Sequence, residues 1–475
     1  MKRIVPILLA LLILLLFPLN TLAAPLYEGN ALKAGGIALM NADTGEVLVS
    51  GNGTGKIYPA STTKIMTCLL ALEHGNLDDT LVVSARAASF SGGDNSNIAL
   101  VEGERLTLRQ MLYGLMLQSG NDAAVAVAEY VSGSVEEFCD LMNEKSQELG
   151  LRNTHFTNPH GRHDDDHYTT AIDMAKLTSI ALQNGHFAKI VSTVTYQVGK
   201  TNKSAARSWR NSNRLVRPDN ASYFEGATGV KTGTTGTALG CLVSSATRND
   251  VTLIACVFND GDYSGELRFP YSVSLLQFGF DNYSSYTLQD VMDEELSSRL
   301  TVQNAAQDDI QGGELSLACQ YDETARFYGW TQDVQQAIEA GGAVEIRPTF
   351  DTAMVYAPIS KGAVLGDGQI LLNGKKIGEC QLVATRAVAE NPGAQPSTAT
   401  QTPIDTTPAD TPNLLSILFI AIAGLLILLL ILRLFNKARR RKARFGSRSR
   451  RHTTARGRSC PRPHTKRRPP NRPVR

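Results

Sequence analysis

The chain has no CxxC pair. Its seven cysteines, at 68, 139, 241, 256, 319, 380 and 460, stand singly, which argues against a zinc site and against thioredoxin-like chemistry. No internal repeat is visible. Acidic residues are missing from residue 433 onward, where 18 Lys or Arg stand, and between Arg3 and that tail 27 basic residues face all 45 acidic ones. The net charge of +2 therefore hides an acidic body, and nothing in that body suggests a nucleic-acid surface. A length of 475 residues allows two or three domains with ample core.

The two ends address the chain to a membrane. Lys2 and Arg3 precede an apolar stretch at 4–17 and then Leu19-Asn20-Thr21-Leu22-Ala23-Ala24. This is the layout of a secretory signal over 1–24, cut near Ala23 or Ala24, with an uncleaved anchor as the alternative. Either way the body is exported. Residues 390–412 are rich in Pro, Thr and Ala and read as an extended linker. Residues 414–432 carry no charge, about 28 Å of helix against a hydrocarbon core of roughly 30 Å, so a transmembrane helix is expected within 413–434. The basic tail 435–475 then belongs in the cytoplasm by the positive-inside rule.

Between these ends the periodicity changes twice. Residues 35–40 and 46–50 flank Asn41-Ala42-Asp43-Thr44-Gly45 and read as a hairpin. Helices are expected over 59–75, 107–118 and 122–129, the last capped by Asp122. Two more follow, one after the capping box Ser134-Val135-Glu136-Glu137 and one over 170–183 that ends at Asn184-Gly185. Strands are expected over 226–235, 238–246 and 251–258, the last apolar on both faces and so covered on both sides. Residues 284–389 read as a smaller β domain with Asn373-Gly374 as a two-residue hairpin turn. Cys319 and Cys380 fall in that domain and could pair if it is exported.

Ser61-Thr62-Thr63-Lys64 opens the helix that begins at Pro59 and closes at Gly75. Residues three apart share a helix face, so the Lys64 amine can reach the Ser61 hydroxyl. That pairing activates a serine nucleophile without histidine. The amine works as a base only when neutral, so its pKa must fall from ~10.4 toward ~7 to 8, roughly 3 to 4 kcal/mol of destabilised charge. Burial in an apolar helix supplies part of this, and a second cation could supply the rest. Ser119-Gly120-Asn121 offers a hydroxyl and a carboxamide from one inter-helix turn. Lys231-Thr232-Gly233 adds an ammonium and a hydroxyl on a strand, beside a glycine that lets another backbone approach. Each motif alone is weak, and the three in this order and context form a specific signature.

With these motifs the sequence resembles the penicillin-recognising serine enzymes, most closely the D-alanyl-D-alanine carboxypeptidases among the low-molecular-mass penicillin-binding proteins. Pro59 to Thr67, Ser119-Gly120-Asn121-Asp122-Ala123-Ala124, Asn158-Pro159-His160-Gly161, Tyr168-Thr169-Thr170-Ala171, Val230-Lys231-Thr232-Gly233 and Tyr356-Ala357-Pro358-Ile359-Ser360-Lys361-Gly362 carry the likeness. The resemblance implies a mixed α/β (α+β) transpeptidase-like or β-lactamase-like domain at 25–283, an antiparallel sheet flanked by helices, and a small all-β domain at 284–389. It implies removal of the terminal D-alanine from peptidoglycan stem pentapeptides, inhibition by β-lactam antibiotics, and no cofactor or metal. By match of motif Ser61 is acylated, Lys64 is the base and Ser119 relays the proton. Asn121 holds the substrate amide, Lys231 and Thr232 bind the terminal carboxylate, and the N–H groups of Ser61 and Thr234, beside Gly233, form the oxyanion hole. The expected location is the outer side of a bacterial cytoplasmic membrane, in contact with lipid through the helix and tail.

The likeness has departures and rivals. Thr234-Thr235-Gly236-Thr237-Ala238 lacks the usual aromatic or histidine after KTG, and Arg162 stands where an apolar residue is usual. Members of the family often anchor by an amphipathic C-terminal helix, here replaced by a span. A β-lactamase is one rival, but no ExxLN-like loop lies between 153 and 171 to supply a water-activating carboxylate. A catalytically silent wall-binding protein of the same fold is another. His155, His160, His163 and His167 around Asp164-Asp165-Asp166 admit a metal reading or a polar loop rimming the site. The tail admits anionic lipid headgroups or, alternatively, nucleic acid or a cytoplasmic partner. Arg268 could contribute to carboxylate recognition or sit on a helix surface, and it is left out of the expected site.

Overall fold

The computed structural model describes residues 32–93, 95–292, 297–340, 344–350 and 354–392. The expected signal (1–24), transmembrane segment (413–434), basic tail (435–475) and nearly all of the expected linker lie outside the described residues. Among the described residues no helix is long and apolar enough to cross a membrane. All described residues belong to one compact unit.

Strands β1 (Gly36–Asn41) and β2 (Val47–Gly51) pair antiparallel. Their turn is built by Asn41, whose Oδ1 accepts from the N–H groups of Asp43 and Thr44, and by Gly45 at φ +71. After a 3-10 turn at Ala60–Thr63 come α1 (Lys64–His74), α2 (Leu108–Leu117), α3 (Asn121–Ser132), α4 (Val135–Glu148), α5 (Ala171–Leu182) and α6 (Gly185–Ser192). The hydroxyls of Thr107, Ser134 and Thr170 cap α2, α4 and α5 by accepting from the N–H of Gln110, Glu137 and Asp173. The helix expected over 170–183 ends at Asn184-Gly185, as the sequence indicates. Asn184 also caps α6, a helix not expected from the sequence, by accepting from His186 and Phe187 N–H, and α6 forms because Phe187, Ile190 and Val191 reach the core. One expectation fails here. Asp122 does not cap α3; Gly120 holds that position and the carboxylate turns elsewhere, as described below.

Strands β3 (Ala227–Thr235), β4 (Leu239–Arg248) and β5 (Val251–Phe258) complete a five-stranded antiparallel sheet in the order β2-β1-β5-β4-β3. Side chains on a strand alternate between faces, and β5 separates cleanly. Ile254, Cys256 and Phe258 join the core under the helices of residues 64–191, while Leu253, Ala255 and Val257 join a second core with Phe269, Leu275 and Leu276 of α7 (Arg268–Asn282). The double apolar face of β5 is therefore covered on both sides, as the sequence requires. β3 is an edge strand, and the serine turn packs against it.

The β-rich region has its own core, from Leu288 to Val388. Strands β6 (Tyr283–Thr287), β7 (Ser297–Gln303), β8 (Glu314–Gln320), β9 (Arg326–Trp330), β10 (Val344–Phe350), β11 (Val355–Tyr356), β12 (Val364–Leu372) and β13 (Lys375–Ala384) form a pair, β6-β9, and a sheet in the order β10-β12-β13-β8-β7-β11. Asn373 and Gly374, both at positive φ, turn β12 into β13. Cys319 and Cys380 form a disulfide between β8 and β13. One helix interrupts the strands expected here, α8 (Thr331–Ala340), with Val334 and Ala337 buried. The region meets the first sheet at its turns: Tyr283 Oη and Lys375 Nζ donate to Glu46 at 2.9 and 3.1 Å, and Tyr328 Oη donates to Asp43 at 3.2 Å.

Candidate active site

Ser61 lies on the 3-10 turn, and α1 starts only at Lys64. The turn is fixed by its own threonines: Thr62 Oγ1 donates to Pro59 O at 2.7 Å and Thr63 Oγ1 to Ala60 O at 2.8 Å. Ala60 is held at φ +47, and Gly161 packs so close that a Cβ there would lie 1.8 Å from Ala60 O. His167, buried, donates from Nε2 to Thr63 Oγ1 (2.7 Å), because its Nδ1 accepts from Thr157 N–H (3.0 Å). A Cβ on Gly233 would meet Ser61 N at 3.0 Å and Pro59 O at 3.1 Å. The edge strand β3 therefore passes directly over the serine turn at the glycine of the KTG motif.

Lys64 is fully buried at the first position of α1. Its Nζ sits 3.0 Å from Ser61 Oγ, 2.7 Å from Asn121 Oδ1 and 2.6 Å from His160 O. Burial, then the charge of Lys231, holds its pKa well below the ordinary lysine value, and buried Asp122 opposes them. Lys231, on β3, is buried with Nζ donating to Thr232 O at 2.9 Å. Its pKa falls to about 7, through burial first and the nearby Arg268 second. The second cation required by the sequence is thus present and acts in the expected direction.

Ser119 stands at φ +63 in the turn between α2 and α3, and its buried Oγ has no hydrogen-bond partner among the described residues. Asn121 opens α3, its N–H bonded to Ser96 O at 2.8 Å. Thr232 Oγ1 lies 2.6 Å from Ser212 Oγ. Thr234 is exposed, its hydroxyl bonded to Gly233 O. All eight residues expected at the site therefore lie on the serine turn, the start of α1, the α2–α3 turn and the edge strand.

Arg268, left out of the expected site, belongs with these residues. Its Nη1 donates to Gly233 O at 2.7 Å and Thr234 Oγ1 at 2.6 Å. Buried Asp260 sets its backbone, accepting from Arg268 N–H (2.9 Å) and from Gly240 N–H (3.0 Å) at the start of β4. The histidine-rich loop divides its members. His160 packs against Phe90 (5.1 Å between rings), His163 lies edge-on to Tyr58, and His155 bonds to Asp166 O. Among the described residues no three of His, Cys, Asp and Glu are grouped to hold a metal ion.

These shifts tie stability to pH. Burial lowers the pKa of His160 to about 2 and of His167 to about 3; unfolded, both take protons near ~6.5, so the native state loses stability as pH falls below that value. Lys231 binds fewer protons folded than unfolded between about 7 and ~10.4, so stability rises with pH there. Above ~8.5 unfolded thiols ionise, whereas burial raises the pKa of Cys68, Cys241 and Cys256, and the slope turns down. The urea midpoint should climb from pH 5 to a maximum between 8 and 9 and then decline. A midpoint that falls steadily from pH 6 to 8 would contradict the burial of these groups.

Comparison with known proteins identifies the family. Residues 21–262 match the family model described as D-alanyl-D-alanine carboxypeptidase. The chain is 40% identical over 262 residues to D-alanyl-D-alanine carboxypeptidase DacF of Bacillus subtilis (strain 168), covering 54% of this chain and 64% of DacF. It is 30% identical over 363 residues to DacA of Haemophilus influenzae, covering 74% of this chain and 84% of the relative. The crystal structure of penicillin binding protein 5 from Haemophilus influenzae superposes with a TM-score of 0.54 at 28% identity, covering 76% of this chain and 98% of the other. The chain belongs to the D-alanyl-D-alanine carboxypeptidase family, serine peptidases that β-lactams acylate.

Proposed function

We propose that this chain removes the terminal D-alanine from peptidoglycan stem pentapeptides through an acyl-enzyme on Ser61. The observation that carries the reading is the 3.0 Å separation of Lys64 Nζ from Ser61 Oγ at a fully buried amine. Neutral Lys64 takes the Ser61 proton as Oγ attacks the carbonyl carbon of the penultimate D-alanine. The N–H groups of Ser61 and Thr234 take the developing oxyanion, a role open to the free donor of a helix start and to an edge strand that faces it. The scissile C–N bond breaks, and the proton passes from Lys64 through Ser119 Oγ to the departing D-alanine amine. Water then hydrolyses the Ser61 ester. The buried Ser119 hydroxyl, without a hydrogen-bond partner among the described residues, suits such a relay, whose partners are complete only with substrate bound. Asn121 holds the peptide amide, while Lys231, Thr232 and Arg268 attract the terminal carboxylate.

The reading extends to location. An exported body at 25–389, a linker, a membrane span at 413–434 and a basic tail at 435–475 would hold the site on the outer side of a bacterial cytoplasmic membrane. The uncharged stretch 414–432 and the basic residues after it support this. Incubation with a fluorescent penicillin should give a stable adduct, mapped to the peptide containing Ser61, and incubation with a pentapeptide should release D-alanine. An adduct on another residue, or none, would overturn the proposal. Rapid loss of the adduct would favour the β-lactamase reading instead.

A further inference from the structure

Ser212 links the helix that leads to Ser119 with the strand that carries the KTG motif. Its N–H donates to Leu117 O (3.0 Å), on the last turn of the helix that delivers Ser119, and its hydroxyl lies 2.6 Å from Thr232 Oγ1 on the edge strand. The buried asparagines on either side fix it. Asn211 Nδ2 donates to Val191 O and Thr193 O at 2.9 and 3.0 Å. Asn213 Nδ2 donates to Gly229 O at 2.6 Å, and its Oδ1 accepts from Leu215 N–H at 3.1 Å. The backbone of 211–213 is thus tied to α6, to β3 and to the end of α2. Ser212 is only partly buried, and its hydroxyl keeps access to solvent beside Thr232.

Two hydroxyls at this distance share one hydrogen bond and hold two protons. Whichever donates to the other, one proton is left over for a third group. On the same strand Lys231 Nζ bonds to Thr232 O and Arg268 Nη1 to Thr234 Oγ1; both are cations when protonated, and the third group best suited to that surrounding is an anion. We propose that Ser212 is a specificity residue that acts through Thr232: the pair forms a single outward donor for the terminal carboxylate of the substrate. The inference rests on reading Ser61 as the acylated residue. Without Ser212 the Thr232 hydroxyl loses its fixed partner and is free to turn toward backbone acceptors such as those of its own strand.

The test uses the full chain and two forms of one β-lactam, the free acid and its methyl ester, with acylation followed by intact mass. Ser212→Ala should lower the acylation efficiency of the acid about tenfold, through weaker saturation rather than slower acylation at saturation, and change that of the ester less than twofold. Ser212→Thr, which keeps the hydroxyl, should restore the preference for the acid. In a Thr232→Val background Ser212→Ala should have no further effect on that preference. Equal losses for acid and ester, or an unchanged preference, would overturn the proposal. Should the alanine variant melt early, Ser212→Cys, similar in size and a weaker donor, should move the acid-to-ester ratio in the same direction. Failure of the wild type to be acylated at all would instead sink the Ser61 reading, so the two failures are distinct.

Discussion

Ser61→Ala should take no penicillin label, and Lys64→Met should slow labelling by about 10³-fold, within the range expected for loss of a general base. Methionine keeps nearly the length of lysine in the fully buried slot at the start of α1 and removes only the amine. The three oxygens around Nζ, from Ser61, Asn121 and His160, then lose their donor. Burial first, and the charge of Lys231 second, depress the pKa of Lys64, so the wild-type rate should rise with pH as Lys64 loses its proton. The residual rate of Lys64→Met should lack that rise. Lys231 works in the opposite sense. As pH passes about 7 the free site loses that charge, and saturation by carboxylate-bearing substrates should weaken while the chemical step does not. His160 and His167, kept neutral by burial, should leave no inflection near 6.5. A step near 6.5 in the rate at saturation, where the charge of Lys231 has no effect, that survives Lys64→Met would remove the amine from its assigned role.

What the sequence reveals of this site, and what it hides, follows contact range. Ser61 and Lys64 are three residues apart, and Lys231-Thr232-Gly233 are consecutive, so spacing alone puts each set on one face or one strand. The hairpin turns at Gly45 and at Asn373-Gly374 are equally local, since positive φ favours those residue types. Arg268 stands 34 residues from Thr234 in sequence and enters the site only because Asp260 ties the start of α7 to Gly240. Ser212 is 20 residues from its partner, in a segment with no catalytic motif of its own. Helix α8 is not legible in the sequence because it is ten residues long and buries little more than Val334 and Ala337, with Ile338 exposed; so short an apolar pattern is easily absorbed into the surrounding strands.

Asp122→Ala should cost the folded state about 4 kcal/mol or more and abolish labelling at temperatures where the variant is still folded. Its carboxylate is fully buried and accepts from Ile98 N–H at 3.0 Å, Leu100 N–H at 3.1 Å, Ala123 N–H at 2.9 Å and Ser91 Oγ at 2.9 Å. Each buried donor left without an acceptor costs roughly 1–3 kcal/mol, and the alanine leaves several. The segment so anchored bears on the site in two ways. Ser96 O holds the N–H of Asn121, and the Ile98 side chain fills the space beside Gly114 and Gly120, where a Cβ would meet it at 2.6 and 3.2 Å. Freed of its carboxylate, the segment no longer fixes the turn that carries Ser119 and Asn121. Limited proteolysis should therefore cut Asp122→Ala between 91 and 100 before global unfolding, while the wild type resists. Asp122→Asn, which keeps one acceptor oxygen and loses the charge, should fall between the two. An alanine variant as stable, protease-resistant and readily labelled as the wild type would show that the segment is held by its apolar contacts, and that the carboxylate serves only to oppose the lowered pKa of Lys64.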